Sequence, residues 1–193
     1  MKKIALDFDG TIADTNKMKS ILIEERLGIQ IPSWRCDRTL CVPIVGLEAY
    51  DEIADIVYER ESTLRTPPLP DAVEYVKKLA QQARLYLLTA RPEVRMRYAQ
   101  LWLEEYQILD CFDGTFTSHI EDKIWRLKLE ICRENQFELL MDDDQRHFEK
   151  DGYDNIIKVL IKNGCHTDLE LPETTHLVYR WQDFYLFFEQ NML

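Results

Sequence analysis

Asp7 and Asp9 stand two positions apart in the run Leu6-Asp7-Phe8-Asp9-Gly10-Thr11. In an extended chain such a pair points the same way, and Gly10 permits a sharp turn that brings backbone close to a ligand. Three further places offer complementary groups: Thr89-Ala90-Arg91-Pro92, a hydroxyl followed by a cation; Lys123; and the acidic run Asp142-Asp143-Asp144. Mg²⁺ takes oxygen ligands in octahedral geometry, usually a few carboxylates, waters and a substrate phosphate. Such an ion neutralises a phosphoryl group enough for an anionic carboxylate to approach phosphorus. A carboxylate nucleophile divides hydrolysis into two displacements, and a second acid protonates the leaving oxygen and then activates water. A hydroxyl and a Lys or Arg hold the equatorial oxygens as charge moves.

These residues can act together only if the fold delivers them to one place. Lys3 to Phe8 has the pattern of a short buried strand ending at the acidic turn. A helix is expected from about Asn16 to Leu27. Residues 28–46, with two prolines and no clear period, read as loop, and Leu47, Tyr50, Ile53, Ala54 and Val57 share one helical face. Thr66-Pro67-Pro68-Leu69-Pro70 is a stiff extended connector. After it, element types alternate: helix 71–82, strand 84–89, helix 93–106, strand 114–117, helix 123–134, strand 137–141, a short helix and strand 155–160. The tail from Thr175 to Leu193 adds a strand and an aromatic-rich helix. Alternation of this kind predicts an α/β fold, a parallel sheet with helices on both faces and a small helical insert after the first strand. Ligands of such sheets sit at the carboxyl ends of the strands, where Asp7, Asp9, Thr89, Arg91 and Asp142 to Asp144 fall, with Lys123 near the start of the intervening helix.

With order and element types in hand, the chain resembles the haloacid dehalogenase (HAD) superfamily, whose first motif is D-x-D-G-T after a strand. Asp7-Phe8-Asp9-Gly10-Thr11, Thr89, Lys123 and the pair Asp142-Asp143 follow in the family's order over about residues 3 to 160. The resemblance implies an aspartyl-phosphate on Asp7, with Asp9 as acid/base and its carbonyl on Mg²⁺. It implies Thr89 and Lys123 on phosphate, and Asp143, with Asp142 beside it, completing the metal site. An Asp at the second acidic position of the first motif implies phosphatase rather than dehalogenase chemistry. It also implies a Rossmann-like parallel sheet in a catalytic core of residues 1–12 and 67–193, with a helical cap of residues 13–66. Leu87-Leu88-Thr89-Ala90-Arg91-Pro92 and Leu140-Met141-Asp142-Asp143 are similar to the cytosolic 5′-nucleotidase, deoxyribonucleotidase-like (type C) branch, which makes a nucleoside 5′-monophosphate the expected substrate. The phosphatase domain of polynucleotide kinase-phosphatases also pairs an acidic doublet with an Arg after the second motif.

Each residue has a plainer role beside the chemical one. Arg91 is either a phosphate contact or a helix-surface charge, and Asp144 reads as a helix cap. Lys123 ranks ahead of Lys128 because it stands nearer the expected helix start. Trp34, Arg38 and Tyr50 either line the insert's active face and stack a base or pack its small core. Phe112-Asp113-Gly114-Thr115 repeats four letters of the first motif, but Cys111 occupies the nucleophile's place, so it reads as the turn into the third strand. The four histidines lack metal-ligand spacing.

Composition bounds the remainder. With 24 Lys plus Arg against 35 Asp plus Glu, the net charge of −11 counts against a nucleic-acid or anionic-membrane partner and leaves a small-molecule phosphate ester. Five cysteines without paired spacing read as reduced thiols in the cytoplasm, and no apolar run approaches the roughly 20 residues of a membrane span. The alternatives to small-ester hydrolysis are dephosphorylation of a nucleic acid 3′ end or another phosphoester, and a catalytically silent member that only binds a phosphorylated ligand.

Overall fold

The computed structural model describes residues 1–121, 124–162, 171 and 174–193. Its centre is a six-stranded, all-parallel sheet in the order β3-β2-β1-β6-β7-β8, where β1 is Lys2–Leu6, β2 Ala83–Thr89, β3 Phe112–Thr117, β6 Leu139–Asp142, β7 Ile157–Ile161 and β8 Thr175–Val178. The chain runs outward from β1 to β3, returns to β6 on the other side of β1, and runs outward again to β8. The topological switch therefore lies between β1 and β6, where an open parallel sheet leaves a crevice for ligand.

Alternation along the strands divides the interior between two faces. Ile4, Leu6, Leu85 and Leu87 pack with α5 (Ala72–Ala80), α6 (Glu93–Glu105) and α8 (Trp181–Met192), through Val76, Leu79, Trp102, Phe184 and Phe188. Ala5, Tyr86, Leu88, Leu140 and Leu160 face Leu129 and Cys132 of α7 (Lys128–Asn135). Both faces are covered, as a parallel sheet requires and as the alternation of elements predicts. The aromatic tail helix also reaches the first motif, since Trp181 Nε1 donates to the Thr11 carbonyl at 2.8 Å.

Between β1 and α5 four helices form a unit with its own apolar centre: α1 (Thr15–Leu27), α2 (Arg38–Val45), α3 (Leu47–Val57) and α4 (Arg60–Arg65). Met18, Leu22, Ile23, Cys36, Cys41, Tyr50, Ile53 and Val57 make up that centre. Asp14 caps α1 by accepting from Lys17 N, and Asp37 caps α2 by accepting from Leu40 N. The expectation of loop throughout 28–46 misses α2, which forms on its Asp37 cap with Pro43 tolerated near its end. The two chain crossings into this unit run side by side: Asp14 N donates to Pro67 O and Leu69 N to Ile12 O, both at 2.8 Å.

Two other expectations change. The helix predicted over 123–134 begins at Lys128; ahead of it β4 (His119–Glu121) and β5 (Ile124–Trp125) make a short antiparallel hairpin. Asp113-Gly114-Thr115 is strand, not a turn, because it pairs in parallel with β2, Gly114 opposite Tyr86 and Thr115 opposite Leu87. Among the described residues no helix is long and apolar enough to cross a membrane.

Candidate active site

β1 ends one residue before Asp7, whose amide continues the sheet by donating to Met141 O at 3.0 Å. That register sets Asp7 beside the end of β6, and the carboxylates of Asp7, Asp142 and Asp143 offer ligand atoms that all lie within 4.8 Å of one another. Lys128, 1% exposed at the start of α7, reaches into the group: its Nζ is 2.8 Å from Asp7 Oδ1 and 2.7 Å from Asp142 Oδ2. The second Asp142 oxygen accepts from Asp144 N at 3.0 Å. Both Asp142 oxygens thus have protein donors, whereas the Asp143 carboxylate accepts from none among the described residues.

Gly10 explains how Asp143 comes so near the first motif. Its φ is +73°, and a Cβ there would stand 2.1 Å from Asp143 Oδ2, so only glycine leaves room for that carboxylate. Lys162 holds the same loop from behind, donating from Nζ to the Asp143 carbonyl at 2.6 Å. Crowding has an electrostatic cost. Burial raises the Asp7 pKa well above its ordinary value; the Lys128 charge opposes this, and Asp142, Asp143 and Asp9 add to it. Asp143 is pushed up to about 7, first by burial and then by Asp142. An all-oxygen cluster whose carboxylates resist ionisation side by side, with a glycine cleared for one of them, fits a hard divalent cation such as Mg²⁺.

Asp9 faces the other way. Arg91 Nε donates to its Oδ2 at 2.8 Å and Arg91 Nη2 to its Oδ1 at 2.7 Å, while the Thr15 hydroxyl donates to Oδ1 at 2.8 Å. Burial works to raise the Asp9 pKa, but the Arg91 charge and hydrogen bonds outweigh it and hold the carboxyl below its ordinary value. Arg91 is itself buried. Its Nη1 donates to Thr63 Oγ1 on α4 at 2.8 Å, and its guanidinium lies 4.9 Å from the ring centres of both Phe8 and Tyr58. Thr89, fully buried at the end of β2, accepts from Arg91 N at 3.2 Å.

The residues picked from sequence therefore divide. Asp7, Asp142 and Asp143 come together; Asp9 and Arg91 form an adjoining ion pair; Thr89 supports the Arg91 backbone. Lys123 lies outside the described residues, and the lysine bound to Asp7 is Lys128. Asp144 caps the single turn Gln145–His147, and its carboxyl pairs with Arg146. Tyr50 is buried against Lys19, while Arg38 lies over the Tyr50 ring and pairs with Asp51 at 2.7 Å. Trp34 is half exposed with Arg35 against its ring. Thr15, Lys19, Tyr58 and Thr63, all close to the acidic groups, carried no signal in the sequence beyond their helices.

No family model matches the chain, and no curated protein does. Solved structures share the fold from end to end at low identity. A haloacid dehalogenase-like hydrolase of Streptococcus pneumoniae superposes with a TM-score of 0.65 at 16% identity, over 97% of this chain and 98% of that one. A HAD-hydrolase of Bacillus subtilis, solved bound to magnesium, gives 0.62 at 15% identity over 96% and 97%. The L-2-haloacid dehalogenase of Xanthobacter autotrophicus, solved with chloropropionic acid covalently bound, gives 0.62 at 11% over the full length of both chains.

Proposed function

We propose that this chain hydrolyses small phosphomonoesters in two steps through an aspartyl-phosphate on Asp7, with Mg²⁺ as cofactor. The observation that carries this reading is the convergence of Asp7, Asp142 and Asp143 at the switch point of the sheet, with Lys128 bound to the would-be nucleophile. Asp7 and Asp143 would hold the ion with the Asp9 carbonyl, and Asp142 would act mainly by orienting Lys128. The ion supplies charge neutralisation to the phosphoryl group.

In the first step an Asp7 oxygen forms a bond to phosphorus as the ester P–O bond breaks, and the leaving oxygen takes a proton from Asp9. In the second, water attacks the same phosphorus, Asp9 takes the water's proton, and inorganic phosphate leaves with Asp7 restored. Lys128 holds Asp7 in the attacking position and offsets charge on the equatorial oxygens, to which Thr89 presents its hydroxyl. The Arg91 clasp suits Asp9 to the second step, where it must accept a proton. For the first step Asp9 must hold one, so the clasp loosens as substrate enters and Arg91 turns to the phosphoryl oxygens. Residues 13–66 serve as the cap over a core of 1–12 and 67–193, and Thr63 ties that movement to the cap.

A nucleoside 5′-monophosphate, the substrate implied by the sequence resemblance to the type C nucleotidases, belongs in the first test panel. The described cysteines Cys36, Cys41, Cys111 and Cys132 are free thiols, in keeping with the cytoplasm as the site of action. The test is turnover with Mg²⁺ on nucleotides, sugar phosphates and other small phosphoesters, with Asp7→Asn as control. Phosphate release that disappears in Asp7→Asn and in excess chelator supports the reading; release that persists in a folded Asp7→Asn protein defeats it.

A further inference from the structure

Lys19 differs from the other cations around the carboxylate cluster. It projects from α1, is only 9% exposed, and makes no ion pair among the described residues. Its polar partners are neutral: Tyr50 Oη at 3.2 Å and Asn16 Oδ1 at 3.4 Å. Lys128, by contrast, is paired with Asp7 and Asp142, and Arg91 with Asp9. A buried ammonium without an anionic partner is expensive. Burial opposes the Lys19 charge, but the oxygens of Tyr50 and Tyr58, with Asp143 behind them, hold its pKa above the ordinary value.

The position of this charge is informative. Thr15, at the start of α1, donates to Asp9 Oδ1 at 2.8 Å, and Lys19 follows it by one helical turn on the same buried face, so Lys19 lies on the side of the helical unit that faces the cluster. Tyr50, its nearest partner, also meets Arg38, whose guanidinium lies 5.5 Å from the ring centre. In a chain of net charge −11, Lys19 and Arg38 both lie over one tyrosine ring, and of the two only Arg38 has a carboxylate partner, Asp51. The phosphoryl group at Asp7 already has Lys128. A nucleoside leaving group is neutral and would leave the Lys19 ammonium unpaired.

We propose that Lys19, with the Tyr50 hydroxyl, receives an anionic group on the leaving portion of the substrate, so that preferred esters carry a carboxylate or a second phosphate besides the phosphoryl transferred at Asp7. The proposal rests on the phosphomonoesterase reading of the same site. The plainer role, in which Lys19 merely offsets the charge of Asp9 and Asp143, affects all esters alike and predicts no such preference.

Two matched pairs of esters separate these roles and the two anions: 3-phosphoglycerate against glycerol 3-phosphate, and ribulose 1,5-bisphosphate against ribulose 5-phosphate. With Mg²⁺ and the full chain, kcat/KM is expected to favour the more anionic member of at least one pair by tenfold or more. Lys19→Met collapses that ratio, Lys19→Arg keeps it, and Tyr50→Phe moves it in the same direction as Lys19→Met. The pair that shows the preference identifies carboxylate or phosphate. A ratio near one in the wild type, or one unchanged by Lys19→Met, overturns the proposal. Calorimetric titration of Asp7→Asn protein with the same four esters reads the preference without turnover. Preferential binding lost on adding Lys19→Met, in a chain that hydrolyses none of them, would sink the hydrolase reading and keep the anion site; turnover without preference would do the reverse.

Discussion

Arg91 grips both oxygens of Asp9 and, with its remaining amino group, the hydroxyl of Thr63 on α4. One guanidinium thus links the second carboxylate of the first motif to the helical unit above it, and a lysine could not span all three acceptors. Arg91→Lys should lower kcat/KM by about a hundredfold, an effect read against the ~1.4 kcal/mol that each factor of ten represents. Because the clasp holds the Asp9 pKa down, loosening it should also move the acidic limb of the pH–rate profile to higher pH. The paired Asp9 stabilises the fold above its unfolded value and loses that effect as pH falls through its lower folded value. Arg91→Met, which strands the carboxylate, should therefore cost about 3 kcal/mol near neutral pH and less in acid, as read by denaturant titration. An unshifted acidic limb in Arg91→Lys would show that the clasp does not govern the proton on Asp9.

Lys128 sits between two carboxylates in the dry interior. Removing it by Lys128→Met leaves Asp7 and Asp142 facing each other without compensation, a change expected to cost about 3–5 kcal/mol. The double variant Lys128→Met/Asp142→Asn should recover a large part of that loss while remaining inactive, because Lys128 also serves Asp7. Chemical denaturation of the single and double variants measures the coupling. Additive losses would mean that the two side chains do not act as a unit.

The case of Lys128 also shows what was legible in the sequence. Strand and helix alternation, the D-x-D-G-T turn and the acidic end of β6 were all readable, because hydrophobic period and motif order are local properties. The helix after β3 begins five residues later than its sequence pattern suggests, since the short β4–β5 hairpin ahead of it has no apolar period of its own. Proximity to the helix start, the property that singles out Lys123, belongs also to Lys128 at the observed boundary. The sequence leaves Arg91 between two roles because a partner 82 positions away has no trace in spacing. Lys19 carries no signal in the sequence, because the Tyr50 hydroxyl that it meets lies thirty-one residues on.

Gly10→Ala tests the shape of the carboxylate cradle. The new methyl group would fall 2.1 Å from Asp143 Oδ2 at a backbone φ of +73°, so Asp143 must move away or the turn must open. Activity should fall at least a hundredfold, and Mg²⁺ affinity by calorimetry should weaken at least tenfold. Gly28→Ala is the control, because it also has positive φ but an open surrounding. Equal effects of the two substitutions on Mg²⁺ affinity would assign the loss to backbone strain and not to the cradle.

Asp143 links the metal site to stability. Its pKa, pushed up to about 7 by burial and by Asp142, lies above that of the unfolded chain. A carboxyl with a raised folded-state value stabilises the fold while it is protonated: the contribution is complete below about 4 and is lost as pH climbs through about 7. Metal-free protein should therefore become less stable across that range. Asp143→Asn, neutral at every pH, should flatten the loss and raise the metal-free melting temperature at pH 7.5 by about 3 °C or more, in the range expected for ~1 kcal/mol in a chain of this size. Mg²⁺ should raise the wild-type melting temperature at pH 7.5, do so less at pH 5.5 where protons compete for the same oxygens, and leave Asp143→Asn nearly unaffected. Differential scanning calorimetry at the two pH values, with and without the ion, checks all three outcomes. A Mg²⁺ shift of equal size in Asp143→Asn would remove this residue from the ligand set.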